Sequence, residues 1–147
     1  YRPMRYTFVI WVMVIVGGTG NNFGAILGGH DVTGGHGASI NRNITDLIPH
    51  TEARVTFDFI KIDSWDDEYG YLYIDNSPVW SQWGHGWYGN HVCGWGPSNG
   101  WGHDQRWQDS VQTSHNASSV YLYFTTNLNQ HAYDESWGID NVYVWVR

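Results

Sequence analysis

Three stretches of the chain alternate aliphatic with aromatic residues, a period of two that is typical of β-strands. They are residues 71–74, 120–124 and 142–146, and each would have one aliphatic face and one aromatic face. If the three strands are neighbours in one sheet, their aliphatic faces form the core of a sandwich. Their aromatic faces are then either covered by the chain itself or exposed as a contact surface for sugar or another subunit.

Further strands are predicted at residues 38–45, 55–62, 70–75 and 79–80, where β-branched and aromatic residues are bounded by turn residues. No stretch shows sustained helical periodicity over about ten residues. The pattern therefore predicts an all-β sandwich.

The N-terminal segment contains nine consecutive apolar residues, 8–16, many of them β-branched. This run is too short for a membrane-spanning helix, which needs about 20 residues. It predicts a strand that is apolar on both faces, either buried in its own domain or donated to a neighbouring subunit. The donated side chains would be Phe8, Ile10, Val12, Val14 and Val16. Because a glycine-rich connection follows, the sequence divides into an N-terminal strand and connection, 1–37, and a sandwich domain, 38–147.

Composition narrows the possible functions. The 147 residues suffice for one domain, and they include 17% aromatic residues, 18 glycines and 14% charged residues. The formal net charge is −7 and the seven Lys and Arg residues are scattered, which argues against a nucleic-acid partner. Cys93 is the single cysteine of the sequence, which excludes an intrachain disulfide.

Two acidic motifs that contain Ser-Trp lie beside predicted strands, Asp63-Ser64-Trp65-Asp66-Asp67-Glu68 and Asp134-Glu135-Ser136-Trp137. Crowded carboxylates repel one another, so a fold that brings such loops together needs a cation or a proton to hold them. Carboxylate oxygens suit Ca²⁺. We predict that the two loops meet and share a structural calcium ion; the alternative is two solvated acidic turns that never meet.

Residues 80–107 form an irregular stretch that is rich in Trp and Gly. Trp rings on such a backbone can stack on pyranose rings, or they can bury against the aromatic sheet face and a neighbouring subunit. The candidate contact residues for glycan or subunit are Trp80, Trp83, Trp87, Trp95, Trp101, Trp107, Tyr121 and Tyr123. The same stretch contains potential zinc ligands whose spacing matches no compact ligand pattern, namely His85, His91, Cys93 and His103.

N-glycosylation sequons begin at Asn43 and Asn116, both near the edges of predicted strands or loops. Together with the composition, they predict an extracellular or cell-surface location.

The acidic Ser-Trp motifs, the run at residues 48–62 and the strand at residues 120–128 resemble a calcium-binding jelly-roll module repeated in large extracellular proteins of protists and some bacteria. The resemblance covers about residues 38–147. It implies a two-sheet jelly-roll-type β-sandwich, similar to carbohydrate-binding modules, with Ca²⁺ held by the two motifs. The ligands that it implies are Asp63, Asp66, Glu68, Asp134 and Glu135, with Asp75 and Asp140 as weaker candidates. A looser likeness connects the chain with subunits of environmental extracellular filaments.

The apolar N-terminal strand and the Trp-rich stretch depart from that module and favour assembly. We predict a non-enzymatic, calcium-stabilised subunit of an extracellular filament that polymerises head to tail with copies of itself. The alternative is a calcium-dependent, lectin-like carbohydrate-binding module for adhesion. An enzyme is disfavoured, because acids crowded at one locus suit a metal better than the two separated carboxylates of a glycosidase.

Overall fold

Two antiparallel sheets make up the part of the protein that the structure describes. The computed structural model describes residues 7–10, 24–35, 37–93 and 102–147, with residues 7–10 as backbone alone. Within these ranges it contains nine strands and no helix. The strands are β1 (Thr7–Ile10), β2 (Leu27–Gly28), β3 (Ser39–Ile44), β4 (Glu52–Asp63), β5 (Asp66–Ile74), β6 (Ser77–His85), β7 (Gln105–Ser114), β8 (Val120–Thr126) and β9 (Glu135–Val146).

The sheets pack face to face as a β-sandwich, which confirms the predicted all-β fold class. Sheet A has the strand order β1-β9-β4-β7, and β2 also pairs with β9. Sheet B has the order β3-β8-β5-β6. The jelly-roll assignment and the division at residue 38 stay predictions.

Strands β5 and β8 are neighbours in sheet B, and their alternation of side chains is as predicted. Leu72, Ile74, Leu122 and Phe124 are buried in the core, whereas the tyrosines between them point to the other face. The third alternating strand, β9, lies in sheet A instead, so the three strands are not neighbours in one sheet. Both sheets bury aliphatic side chains in the same core, so alternation along a strand does not show to which sheet that strand belongs.

The core is built around Phe59 on β4. Its ring stacks on Trp137 with a centroid distance of 5.2 Å and an interplanar angle of 6°. Trp80 and Trp107 also pack on it, at 5.2 and 5.9 Å. Gly70 faces this ring from sheet B, and a Cβ there would lie 2.7 Å from it, so the close approach requires glycine.

Strand β7 was not predicted from the sequence. It pairs with β4 over ten positions, from Glu52 opposite Ser114 to Lys61 opposite Gln105. Its residues are mostly polar and exposed or half-buried, because β7 is an edge strand with a thin apolar face. Strand β6 is also longer than predicted and extends to His85.

The N-terminal strand pairs within its own chain where it is described. β1 runs antiparallel to β9, with Thr7 opposite Val146 and Ile10 opposite Tyr143. Val12, Val14 and Val16 lie outside the described residues, and donation of the strand to another subunit stays a prediction. Within the described ranges, the protein contains no helix of the length and apolarity needed to cross a membrane.

Candidate functional site

The two acidic Ser-Trp loops meet at one end of the sandwich. Asp63 at the end of β4 lies opposite Glu135 at the start of β9. Ser64 donates its backbone N–H and its hydroxyl to the carbonyl of Asp134, at 3.2 and 2.8 Å. The indole N–H of Trp65 donates to the carbonyl of Ser136 at 2.8 Å. The Ser-Trp dipeptides therefore join the two loops, chiefly through hydrogen bonds to backbone carbonyls.

Three of the predicted calcium ligands, Asp66, Glu68 and Glu135, come together there, and we call them the acidic end. Gln130 donates its backbone N–H to Glu135 Oε2 (3.3 Å) and its side-chain amide to Asp66 Oδ2 (3.1 Å). Asn129 donates its side-chain amide to Glu68 Oε1 (3.3 Å), and the backbone N–H of Asp66 donates to Glu68 Oε2. Asp66 is exposed, whereas Glu68 and Glu135 are buried.

When all three carboxylates of the acidic end are ionised, their negative charges repel one another. Burial raises the pKa of Glu135 from 4.5 to about 7, with further raising by the negative charges of Glu68 and Asp66. Backbone hydrogen bonds at residues 129–130 oppose this shift in part. The pKa of Glu68 is also raised, chiefly by burial and in addition by the charge of Asp66. Near neutral pH, Glu135 is therefore stable with a proton or with a cation beside it.

The acidic end fits a calcium ion in its donor chemistry. Oε1 of Glu135 is buried and has no hydrogen-bond partner among the described residues. A buried oxygen without a partner costs free energy, and Ca²⁺ readily binds both oxygens of a glutamate. Within the described ranges, no three acidic, histidine or cysteine side chains are arranged around one point as metal ligands. Asp66, Glu68 and Glu135 are the residues that would hold the ion, and calcium binding at this locus stays a prediction.

Two predicted ligands lie beside the acidic end but have other partners. Asp63 Oδ2 contacts His30 Nδ1 at 2.9 Å. Asp134 is exposed, and its carboxylate accepts a hydrogen bond from the Ser64 hydroxyl at 3.3 Å.

The two weaker candidates lie far from the acidic end. Asp75 follows β5 at the opposite end of the sandwich, with Oδ2 3.0 Å from His115 Nε2. Asp140 lies within β9 and forms an ion pair with Arg106 at 2.9 Å. The fold therefore decides which of the predicted acids lie together, and their role as calcium ligands stays a prediction.

A second polar cluster, next to the acidic end, was missed by sequence reasoning. Lys61 is fully buried, and its ammonium donates to the carbonyls of Asp63 (3.1 Å) and His103. Burial lowers the pKa of Lys61 to about 8, although the charges of Asp104 and Asp63 raise it in part. Asp104 accepts hydrogen bonds from the backbone N–H groups of Asp63 and residues 92–93 at 2.7–2.9 Å. This cluster anchors the loop after β6 to β4, and the alternation of β4 marked Lys61 as inward-facing.

The outer face of sheet B carries a continuous row of tyrosines, which we call the tyrosine face. Its members are Tyr69, Tyr71 and Tyr73 on β5 and Tyr121 and Tyr123 on β8. Neighbouring ring centroids along the row are 6.0–6.4 Å apart, from Tyr69 through Tyr73 and Tyr123 to Tyr121. Tyr69 is 38% exposed, so the row is accessible at this end.

A cleft of about 290 Å³ opens at the other end of the row. It is lined by Tyr73, Tyr121, Tyr123 and Asn76. The partner positions of Tyr121 and Tyr123 on β3 are Asn43 and Asn41. Aromatic rings flanked by amides offer apolar plates and hydrogen-bonding groups together, without a charged side chain among these residues.

The predicted tryptophan contacts divide between surface and interior. Trp83, opposite Tyr69 on β6, is 37% exposed, and Trp87 is 56% exposed. Trp80 and Trp107 are half-buried against Phe59, so the structure places them at the core. Trp95 and Trp101 lie outside the described residues. No feature of the sequence separates the exposed tryptophans from those at the core, because Trp suits both environments.

The predicted modification and zinc residues are placed as follows. Asn43 and Asn116 are both exposed. Cys93 is buried, and burial together with the nearby charge of Asp104 raises the pKa of its thiol. His91 is exposed, and the described histidines and Cys93 form no three-residue metal group within the described ranges.

An open groove of about 620 Å³ lies on the outer face of sheet A. Its lining is mainly polar and includes Asp58, Gln108, Asn141 and Tyr143. It contains a single aromatic side chain on that face, in contrast to the tyrosine face.

Comparison with known proteins establishes the fold and no family. No protein-family model matches the chain, and no curated protein matches it. The C-terminal domain of EclA, described as a sugar-binding protein, is similar with a TM-score of 0.50 and 11% identity, over 97% of this chain and 79% of that chain. Dimeric latent PorU from Porphyromonas gingivalis is similar with a TM-score of 0.48 and 12% identity over 81% of this chain. This chain spans 11% of the length of PorU.

Proposed function

We propose that the chain is a non-enzymatic carbohydrate-binding module whose tyrosine face contacts the glycan. The observation that carries the proposal is the row of tyrosines that ends in a cleft with Asn76. Pyranose rings have apolar C–H faces that pack on aromatic rings, and their hydroxyls pair with amides. The fold shared with a domain described as sugar-binding is consistent with this assignment.

The chemistry of the tyrosine face favours neutral sugars. The positions beside the row are uncharged residues, Asn41 and Asn43 on β3 and Pro78, Ser81 and Trp83 on β6. Sulfated or uronic-acid glycans require cationic groups, which these neighbouring positions do not provide.

Calcium has a structural part in this proposal. Asp66 and Glu68 begin the strand that carries three of the five tyrosines. A calcium ion that joined them to Glu135 would fix the start of β5 against β9 and so order the tyrosine face from one end.

The test is binding of cellohexaose, mannohexaose and galactohexaose by calorimetry. We expect at least one to bind, and Tyr123→Ala to weaken that binding by about tenfold or more, as truncation of an aromatic anchor does. Tyr143→Ala, in the groove of sheet A, is the matched control and should bind normally. Loss of binding in the Tyr143 variant with retention in the Tyr123 variant would assign the glycan to the groove instead. Absence of binding to all three sugars would contradict the proposal.

Assembly into a filament is a second proposal, favoured by the position of β1 at an edge of sheet A. A strand from another copy could occupy the same place beside β9. Deletion of residues 1–17 should then leave a folded domain that binds a synthetic peptide of those residues, and the intact chain should form filaments in negative-stain micrographs. A deletion variant that unfolds and ignores the peptide would show that the strand is an ordinary part of its own domain.

A further inference from the structure

A second group of aromatic rings lies beside the end of the tyrosine face that is far from the cleft. Trp83 on β6 has Tyr69 as its cross-strand partner. The ring of Trp83 contacts the rings of His85 and Tyr88, at centroid distances of 5.8 and 5.7 Å. We call these three residues, Trp83, His85 and Tyr88, the tryptophan platform.

The tryptophan platform and the tyrosine face lie on the same surface of sheet B. Gly84 faces the interior, because a Cβ there would lie 2.8 Å from the Trp65 side chain. Side chains alternate along a strand, so Trp83 and His85 on either side of Gly84 point outwards. Directly opposite residues share a face, which places the Cβ atoms of Trp83 and Tyr69 about 5 Å apart. The aromatic surface therefore continues from β8 across β5 to β6.

The rings of the platform hold one another in place and remain accessible. Trp83 is 37% exposed and Tyr88 is 55% exposed. His85 stacks along Trp83 at an interplanar angle of 28°, and Tyr88 meets both rings at 60° and 70°. Contacts of this kind restrict the side-chain rotamers before a ligand arrives, which lowers the entropic cost of binding.

The combined surface is long in one direction, and its two ends differ. Tyr121, at the cleft, is hydrogen-bonded to Asp75, whereas His85 pairs with Asp66. The chain from Asp66 to Asp75 spans about 30 Å at about 3.3 Å per residue. One end is a cleft with the amide of Asn76, and the other end is an open set of rings. A ligand that contacts both ends must therefore be an extended chain.

The charges beside the platform disfavour an anionic chain. Asp67 Oδ1 lies 3.9 Å from His85 Nε2, and Asp66 is the strand partner of His85. Both carboxylates are exposed, so they would repel uronic-acid or sulfate groups on the platform. The platform end thus favours the same neutral sugars as the tyrosine face.

We propose that the chain binds a linear, neutral polysaccharide along its length, with one sugar unit in the cleft and later units on the tryptophan platform. This inference rests on the proposed function of the tyrosine face, and it adds Trp83 and Tyr88 as binding residues. The cleft selects the sugar, because its amide pairs with hydroxyls. The platform adds affinity for long chains, because its contacts become intramolecular once the first unit is bound.

The first arm of the test is a length series. Calorimetry gives the affinities of the trisaccharide and the hexasaccharide of whichever sugar binds among cellohexaose, mannohexaose and galactohexaose. We expect the hexasaccharide to bind the wild type about tenfold more tightly than the trisaccharide. Equal affinities would overturn the inference and leave the proposed function in place, whereas failure of all three hexasaccharides to bind would remove the proposed function.

The second arm locates the added affinity. Trp83→Ala should weaken hexasaccharide binding by about tenfold and change trisaccharide binding by less than about twofold. Tyr123→Ala, in the cleft, should weaken both. Tyr133→Ala, which removes an exposed aromatic ring outside the combined surface, is the matched control and should bind both normally.

A Trp83→Ala variant that binds both sugars normally would overturn the inference. If that variant also loses self-association in sedimentation experiments, the platform belongs to a contact between copies of the chain instead.

Discussion

Two groups of carboxylates on or beside β9 differ in how their negative charge is balanced. In the middle of sheet A, Arg106 lies between Asp58 and Asp140, with contacts of 2.6–2.9 Å to both. Asn141 adds a further donor to Asp58 at 2.7 Å. At the acidic end, Glu68 and Glu135 have amide donors and, among the described residues, no Lys or Arg partner.

The difference separates a structural cluster from a candidate binding site. Asp58 is nearly fully buried, but an arginine of the chain supplies its counter-charge. Glu135 is also buried, but no cationic side chain of the described residues balances its charge. Its pKa is therefore raised to about 7, and a proton or an external cation must neutralise it. An acidic cluster indicates a ligand site when the chain itself leaves its charge unbalanced.

The largest expected effect follows from removal of the built-in cation. Arg106→Met leaves the carboxylates of Asp58 and Asp140 without a cationic partner, and loss of one member of such a buried group costs about 3–5 kcal/mol of unfolding free energy. Urea denaturation monitored by Trp fluorescence measures this loss. Arg54→Met is the matched control, because Arg54 is exposed above the Trp145 ring at 5.5 Å and should contribute less than about 1 kcal/mol. Equal losses of unfolding free energy in the two variants would show that Arg106 does not stabilise the fold by balancing the charges of Asp58 and Asp140.

The second effect is the pH dependence caused by Glu135. Its pKa is raised by folding, so in the presence of chelator the contribution of this group to stability is complete below about pH 4.5 and is lost as the pH rises through about 7. The shift corresponds to on the order of 3 kcal/mol. Glu135→Gln should remove this decline, so that the variant becomes more stable than the wild type in chelator at about pH 8.

Chemical denaturation at a series of pH values tests this expectation. Glu52→Gln is the control, because Glu52 pairs with Arg147 near the surface and its replacement should leave the decline in place. A decline of the same size in Glu135→Gln would assign the pH dependence to another group.

The smallest effect concerns the exposed acid of the same cluster. Asp66→Asn should change the unfolding free energy in chelator by less than about 1 kcal/mol, because the carboxylate is in solvent. It should nevertheless weaken calcium binding by about tenfold, since a charged ligand is lost. Asp67→Asn, with a side chain 68% exposed and outside the three converging carboxylates, should bind calcium normally. Equal calcium affinities of the two variants would exclude Asp66 as a ligand.

Local pattern predicted much of this fold. Alternation identified the inward faces of β5 and β8, since a period of two is a property of the strand alone. It missed β7, because an edge strand with polar residues on most positions has little alternation to detect. It also did not show to which sheet β9 belongs, because sheet membership depends on pairing between distant residues.

The candidate site was predictable to a similar degree. The repeated Ser-Trp motif correctly indicated that the two acidic loops meet, and Asp66, Glu68 and Glu135 do converge. The partners of Asp140 and Asp75 were not predictable, because Arg106 and His115 each lie more than about thirty residues away in the chain. The contact between His50 and His115 likewise joins residues 65 positions apart.

Calcium titration of the wild type by calorimetry at about pH 7 tests the central distinction most directly. Repetition in two buffers of different ionisation enthalpy counts the protons released. Because burial raises the pKa of Glu135 to about 7, we expect calcium to bind with release of protons, and to raise the unfolding free energy by about 2.7 kcal/mol at a hundred times Kd. Glu135→Gln should bind more weakly and release fewer protons. A wild type that takes up no calcium, and that unfolds identically in calcium and in chelator, would contradict the account.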